Sequence, residues 1–459
     1  MRKLFALMLA AILAGCGSGT LTLPSINTDS TAPESSKPSD KPEKPEVKTE
    51  FDTGGTIEEQ TLYEEDGIVI VADSLTYESY RAKLLIRVEN GSDRDIQVLS
   101  DTMGLSCNGI NDWMVHDGWV NVEVPAGKKA NESAYFDYAP LMACGINGIE
   151  TLYMTFEIEF DGKYSDRILV EPVAIETALA ENTDEELSLA EAAGRVVNLY
   201  QNNHELQYSE DSVLYEEAGI KVTGAAYFTS PDGGKILMLG VVNESEEIRN
   251  LYAEKISADG FSLCPAVWTS ETILPGKQTM LRLELNNMAD EEDWKAMGIT
   301  DLSDITLNLG VETIENEELG DSRTITIHVS DKGGVTEQEG DELYSNHEIR
   351  ILSKGISKDS LYVKWRLLVE NNNDFKITVS DGWGDQLSID DYMIDYIMFA
   401  EYIDAHQSSI AEIEIPLDSL EDAGLDPDHL GRAELNLEIQ DESYHDIDAI
   451  TLVCTFTEE

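Results

Sequence analysis

Three stretches of this chain open in nearly the same way. LYEEDGIVI begins at Leu62, LYEEAGIKV at Leu214, and a weaker LYSNHEIRI at Leu343. Self-similarity at a long period marks a chain assembled from like supersecondary units, and it limits the fold more than any other feature. Later landmarks keep step. Asn90, Asn243 and Asn371 close apolar runs in LLIRVENGSD, LMLGVVNESE and WRLLVENNND. Pro125-Ala126-Gly127-Lys128 is matched by Pro275-Gly276-Lys277, while the third copy has AHQSS in that place. Each copy then carries a short helical signal ending in glycine and an aliphatic residue: Gly145-Ile146, Gly298-Ile299 and Gly424-Leu425. The copies close on TLYMTFEIEF, DITLNLGVE and AELNLEIQ.

These landmarks predict strands and turns. Leu435, Leu437 and Ile439 alternate with Glu434, Asn436 and Glu438, so one face of that strand is buried and the other wet. Polar turn residues follow each of the three asparagines, which predicts a hairpin there. Pro-Gly-Lys punctuates a turn before the next strand. Pro140 suits a first helical position, and Asp290 and Asp418 suit N-caps. The late glycines suit the left-handed position just past a helix, with the aliphatic residue packing back.

The expected fold is mainly β: three tandem modules at 62–175, 214–331 and 343–459, each a β-sandwich with one short helix. In size and rhythm each module resembles an immunoglobulin-like β-sandwich, without the Cys…Trp…Cys spacing of antibody domains. The three copies resemble the immunoglobulin-like repeats of many bacterial surface lipoproteins, a family without an assigned activity. Residues 176–213 form a linker in which Thr183-Asp184-Glu185-Glu186 reads as a capping box. Leu189, Ala193, Val196 and Tyr200 recur at helical spacing after it, which predicts an amphipathic inter-module helix over 184–201 despite Gly194. Residues 332–342 are Gly-rich and polar and predict a flexible hinge.

The amino end is read separately. Arg2 and Lys3 precede an apolar run from Leu4 to Ala14, too short to span a bilayer and of signal-peptide length. Leu13-Ala14-Gly15-Cys16 resembles the lipobox of bacterial lipoproteins. That resemblance implies removal of a signal peptide at 1–15 and lipid on Cys16, palmitate-type acyl chains that hold the protein at the cell membrane, facing outward. Residues 16–61, with KPSDKPEKPEVKTE, predict a lipidated, disordered tether.

Charge narrows the partners. Asp and Glu number 90 against 31 Lys and Arg, a formal net charge of −59. Nucleic-acid binding requires basic groups on phosphates, so it is set aside, and anionic surfaces are disfavoured. Cationic partners and loosely held divalent cations are favoured. Beyond Cys16 the cysteines are Cys107, Cys144, Cys264 and Cys454, too few for a disulfide framework; Cys107 and Cys144 share a module and are close enough in sequence to pair.

No motif for chemistry stands out. DTGGTIEEQ, at Asp52, has the look of a catalytic threonine turn but falls in the tether. The seven histidines lack H-E-x-x-H spacing, and YHDID, LDPDHLG and SIDDYMID lack metal-loop spacing. No catalytic residue, metal ligand or cofactor is assigned. The remaining lead is aromatic: Trp113 and Trp119 in NDWMVHDGW, and Trp383 in SDGWGDQ, are candidate ligand contacts or plugs for the open ends of their own sandwiches. Trp365 reads as core; Tyr392, Tyr396, Phe399 and Tyr402 read as core or module interface. The leading expectation is a non-enzymatic surface lipoprotein that binds or displays, engaging an extracellular protein or glycan. The alternatives are an envelope enzyme acting on cell-wall glycan or peptide through acidic loop residues, and an inert spacer.

Overall fold

The computed structural model describes residues 50–100, 107–179, 184–199, 203–263, 269–336, 338–381 and 387–456. The expected signal peptide at 1–15, Cys16, the tether up to residue 49, Thr183, Cys264 and Trp383 lie outside them. The described residues are mainly β, arranged as sheets of 4, 11, 10 and 6 strands.

The sheets pack face to face around three large apolar cores. The first core draws on residues 51 to 175 and includes Ile68, Ile70, Leu84, Ile86, Phe136 and Phe156. The second is built mostly from residues 215 to 329, the third from residues 349 to 454 with Trp365 at its centre. Period-two patterning explains the layers: Arg81–Asn90 and Ser408–Pro416 each alternate buried with half-buried positions along their length.

The same chain path recurs around each core. Ile68–Tyr77 pairs antiparallel with Arg81–Asn90, as do Ile220–Thr229 with Lys235–Asn243 and Ile349–Lys358 with Tyr362–Asn371. The strand that follows each asparagine does not fold back as the expected hairpin. Ile96–Ser100 pairs instead with Val120–Val124 and Thr151–Phe160, so the chain has crossed to the facing sheet. The asparagine ties that crossing. Asn90 Nδ2 donates to the carbonyls of Arg94 and Val124, Asn243 Nδ2 to those of Glu247 and Ile273, and Asn371 Nδ2 to those of Phe375 and Ile403. All three are buried, and an amide can satisfy carbonyls of both layers at once where an apolar side chain would leave them unpaired.

Four α-helices are present among the described residues: α1 (Tyr138–Ala143), α2 (Leu189–Val197), α3 (Glu291–Ala296) and α4 (Leu417–Ala423). The glycines after α1, α3 and α4 are left-handed, Gly145 at φ 88°, Gly298 at φ 69° and Gly424 at φ 74°. The next residue then donates back into the helix, Ile146 to Leu141, Ile299 to Trp294 and Leu425 to Leu420, closing the same C-terminal turn three times. Asp290 caps α3. Pro140 lies inside α1 and Asp418 in the first turn of α4, both where backbone N–H groups need no helical acceptor.

Three expected boundaries move. Order begins before residue 62: Phe51 is buried and stacks on Tyr138 at 4.3 Å, and Asp52 N donates to Asn147 O, so residues 50–61 belong to the folded body. The linker helix is shorter than 184–201. Ser188 and Glu191 form its capping box, and Asn198 closes it by donating to the Gly194 carbonyl. Within the expected hinge at 332–342, Val335, Thr336 and Gln338 are docked. Val335 bridges to Ile299, Thr336 N donates to Gly298 O, and Gln338 Nε2 donates to Met297 O.

The strands of one core run on into the next. Gln278 pairs in parallel with Trp113, which places strands of the first and second cores in the 11-stranded sheet. Phe261 pairs in parallel with Ser408, joining the second and third cores in the 10-stranded sheet. Helix α2 covers the outer face of the 11-stranded sheet: Ala192, Ala193 and Val197 pack with Phe228, Met238 and Met280.

Candidate binding surface

Of the candidate tryptophans, Trp113 and Trp119 lie among the described residues and differ in exposure. Trp113 sits in the strand Trp113–Val115, half-buried between the first core and the layer under α2. Its ring is therefore part of a joint. Trp119 is 59% exposed and stays available to a ligand. Trp365 is fully buried and donates from Nε1 to Ser353 Oγ. Cys144 carries a free thiol whose pKa burial pushes up to about 12.

The charged groups that matter were hidden in the sequence as turn and strand residues. Lys277, in the Pro-Gly-Lys turn, is buried against the first core. Its Nζ donates to the Asn111 carbonyl at 2.5 Å and stands 3.7 Å from the centroid of the Tyr153 ring. Burial lowers its pKa, partly offset by Asp112 and Glu176. Lys128, at the matching turn, is exposed. Beside this joint Asn111 Nδ2 donates to both oxygens of Asp184, whose acid is pushed to about 6, chiefly by burial.

The second joint is built on Arg366, which lies in the strand Tyr362–Asn371 and is buried under α3. Its guanidinium donates to Asp293 Oδ1 at 2.8 Å, to Asp290 Oδ2 at 3.0 Å and to Ser357 Oγ at 2.7 Å, and it stands 2.8 Å from Glu412 Oε2. Lys364 Nζ meets Glu412 and Glu414 at 2.8 and 3.1 Å. Asp290, Asp293 and Glu412 bring three carboxylate oxygens within 4.8 Å of one another, an arrangement able to hold a divalent cation. Here the Arg366 guanidinium supplies the compensating charge. Nearby Glu401 accepts from Ser409 Oγ, and burial raises its pKa to about 7.

A polar cleft of about 1340 Å³ lies beside this joint, lined by Lys295, Asp341, Lys354, Asp428, His429 and Cys454 among others. Lys354 Nζ is already engaged by Gln338 Oε1 and the Glu339 carbonyl.

The aromatic run expected as core or interface divides. Tyr396 is half-buried and packs on the third core, donating to Asp381, and Tyr402 is half-buried too. Tyr392 and Phe399 are instead 54% and 76% exposed, with Met393 and Ile397 exposed beside them in the chain. Their ambiguous period in the sequence reflects two very short strands, Tyr392–Met393 and Ile397–Met398, in two different sheets. Among the described residues no helix is long and apolar enough to cross a membrane.

No protein-family model matches the chain, and no curated protein matches it. Among solved structures, red sea bream transglutaminase is similar at 12% identity over 55% of this chain and 29% of that one, with a TM-score of 0.15. The chain thus spans under a third of that enzyme. A protein of unknown function from Porphyromonas gingivalis W83 is similar at 13% identity, covering 50% of this chain and 94% of that one, with a TM-score of 0.16. A 1.5-MDa bacterial ice-binding adhesin is similar at 10% identity, covering 82% of this chain and 90% of that one, with a TM-score of 0.15.

Proposed function

We propose that this chain is a lipid-anchored, extracytoplasmic binding and display protein without catalytic activity. Cys16 carries the acyl chains, residues 17–49 tether the body, and three immunoglobulin-like modules hold an acidic surface away from the membrane. The observation that supports this most is the pair of filled joints: Lys277 and Arg366 are buried between successive cores, and sheets run through both joints. A display element needs its units held in fixed relation, and buried charge pairs set register at some cost in stability. The formal charge of −59 suits cationic partners.

Metabolic labelling with a clickable palmitate analogue, followed by membrane fractionation, tests the anchor. Wild-type protein takes label and stays with the membrane; Cys16→Ala takes none and is found soluble. Unlabelled wild-type protein would overturn the anchor. Equal recovery of surface and secreted partners by wild-type protein and by variants lacking residues 343–459 would overturn binding through that module.

A further inference from the structure

We infer that residues 390–399 form a docking surface for a basic, extended polypeptide segment, which adds as a strand to the open side of the third core. This deepens the display reading and rests on it. Both sheets around the third core end at this place. Tyr392–Met393 pairs only with Leu387–Ile389, at the edge of the 6-stranded sheet. Ile397–Met398 pairs only with the Ile413–Glu414 stretch of its neighbour in the 10-stranded sheet. Their outer backbone groups have no strand partner among the described residues, and such an edge is a template for another strand.

The side chains add what an unprotected edge lacks. Tyr392, Met393, Ile397 and Phe399 are 54%, 59%, 39% and 76% exposed on one short stretch. Edges in soluble proteins are blunted by short strands, by charge, especially lysine, and by proline; these strands are two residues each. Here the chain has no Lys or Arg between Lys376 and Arg432, and no Pro between residues 390 and 399. Acids flank the aromatics instead. Asp390 and Asp391, at φ 50° and 70°, make the two-residue turn between the paired residues Ile389 and Tyr392. Asp390 is used internally, accepting from the backbone of Gly431 and Arg432. Asp391 and Asp395 are exposed.

Charge selects the occupant. A second copy of this chain would set Asp391 and Asp395 against a body carrying the same excess of acid, and like charges across a strand pair are unfavourable. A segment alternating Lys or Arg with aliphatic residues matches these features: its backbone pairs with the Tyr392–Met393 edge, its apolar residues cover the exposed rings, and its cations meet Asp391, Asp395 and the ring faces.

The test uses the full chain and a fluorescent peptide of alternating Lys and Val, with an alternating Glu and Val control, read by anisotropy in 150 mM KCl. Wild-type protein binds the basic peptide and not the acidic one. Tyr392→Ser with Phe399→Ser weakens binding about tenfold, and Asp391→Asn with Asp395→Asn weakens it several-fold. Backbone amides of 392–399 gain hydrogen-exchange protection with peptide bound. Equal binding by wild-type and the double serine variant, or protection spread over the acidic body, would reduce the effect to general electrostatic attraction and overturn the proposal. So would no binding. Near-ultraviolet circular dichroism verifies that the variants fold. Loss of palmitate labelling would strike the display reading and leave this binding intact; loss of peptide binding with normal labelling would strike only this inference.

Discussion

Arg366 donates from Nε to Oδ1 of Asp293 at 2.8 Å, and the other oxygen of that carboxylate accepts the Asp290 N–H that starts α3. One carboxylate therefore closes a capping box around the second core and receives a guanidinium from a strand of the third. The helix start and the joint are one device.

Removing the guanidinium leaves Asp290, Asp293 and Glu412 facing one another. Arg366→Ala is expected to lower stability by about 3–5 kcal/mol, because a broken buried pair leaves uncompensated charge. Amides of α3 should lose hydrogen-exchange protection first. Calcium supplies the second readout. Millimolar Ca²⁺, relative to KCl of equal ionic strength, raises the melting temperature of Arg366→Ala more than that of the wild-type protein, in which that position is already filled.

The two Pro-Gly-Lys turns offer a matched pair. Lys277 is buried on the Tyr153 ring and Lys128 is exposed. Lys277→Ala should cost about 2–4 kcal/mol, from the lost ring contact and the orphaned Asn111 carbonyl. Lys128→Ala should stay within about 0.5 kcal/mol. Urea denaturation of both variants measures the difference, and equal effects would contradict the burial of Lys277.

Glu401 sets a pH dependence whose sign is fixed. Burial raises its folded pKa from the ordinary 4.5 to about 7. Between those values the folded protein holds a proton that the unfolded chain has lost, so this contribution to stability falls as pH rises from about 4.5 to 7 and stays lost above that. Glu401→Gln should remove the slope and stabilise the protein at pH 8 by about 1–3 kcal/mol, with little change at pH 4.5. Thermal melts of both proteins across this range check it.

Gly194 lies inside α2, and a Cβ built there would meet Phe228 Cε1 at 3.6 Å, an ordinary contact. Gly194→Ala is expected to stabilise the protein by about 0.5–1 kcal/mol by restricting the unfolded chain and favouring the helix. A drop in the melting temperature would mean that α2 cannot accommodate the methyl group against its sheet.

What could be read in advance divides along one physical line. The alternating strands and the three left-handed glycines are local patterns, and Gly145, Gly298 and Gly424 sit where their sequence places them. The asparagines were visible as landmarks, but their role depended on carbonyls such as Val124, Ile273 and Ile403, each about thirty residues away and beyond any local period. Lys277 reads in the sequence only as part of a turn, and Arg366 carries no local signal, because the cover of each comes from a neighbouring unit. Tyr392 and Phe399 erred the other way: aromatic residues in an apolar run promise burial, and nothing nearby announced that both sheets stop there. Trp113 reads in the sequence as a ligand contact or a plug for its own sandwich, and it lies in a joint; a ring in a joint and a ring in a site have the same neighbours in sequence.

The joints impose an order on how the chain completes itself. Lys277 reaches an acceptor 166 residues earlier, and Ser262 bonds Gln407, 145 residues later. A ribosome adds roughly 5–20 residues each second, so a nascent chain leaves Met114 waiting for Leu274, and then Phe261 waiting for Ser408, for many seconds. Each unit is finished by its successor. The stretch from Tyr392 to Phe399 pairs only with strands of the third core, so among the described residues no further unit closes over it.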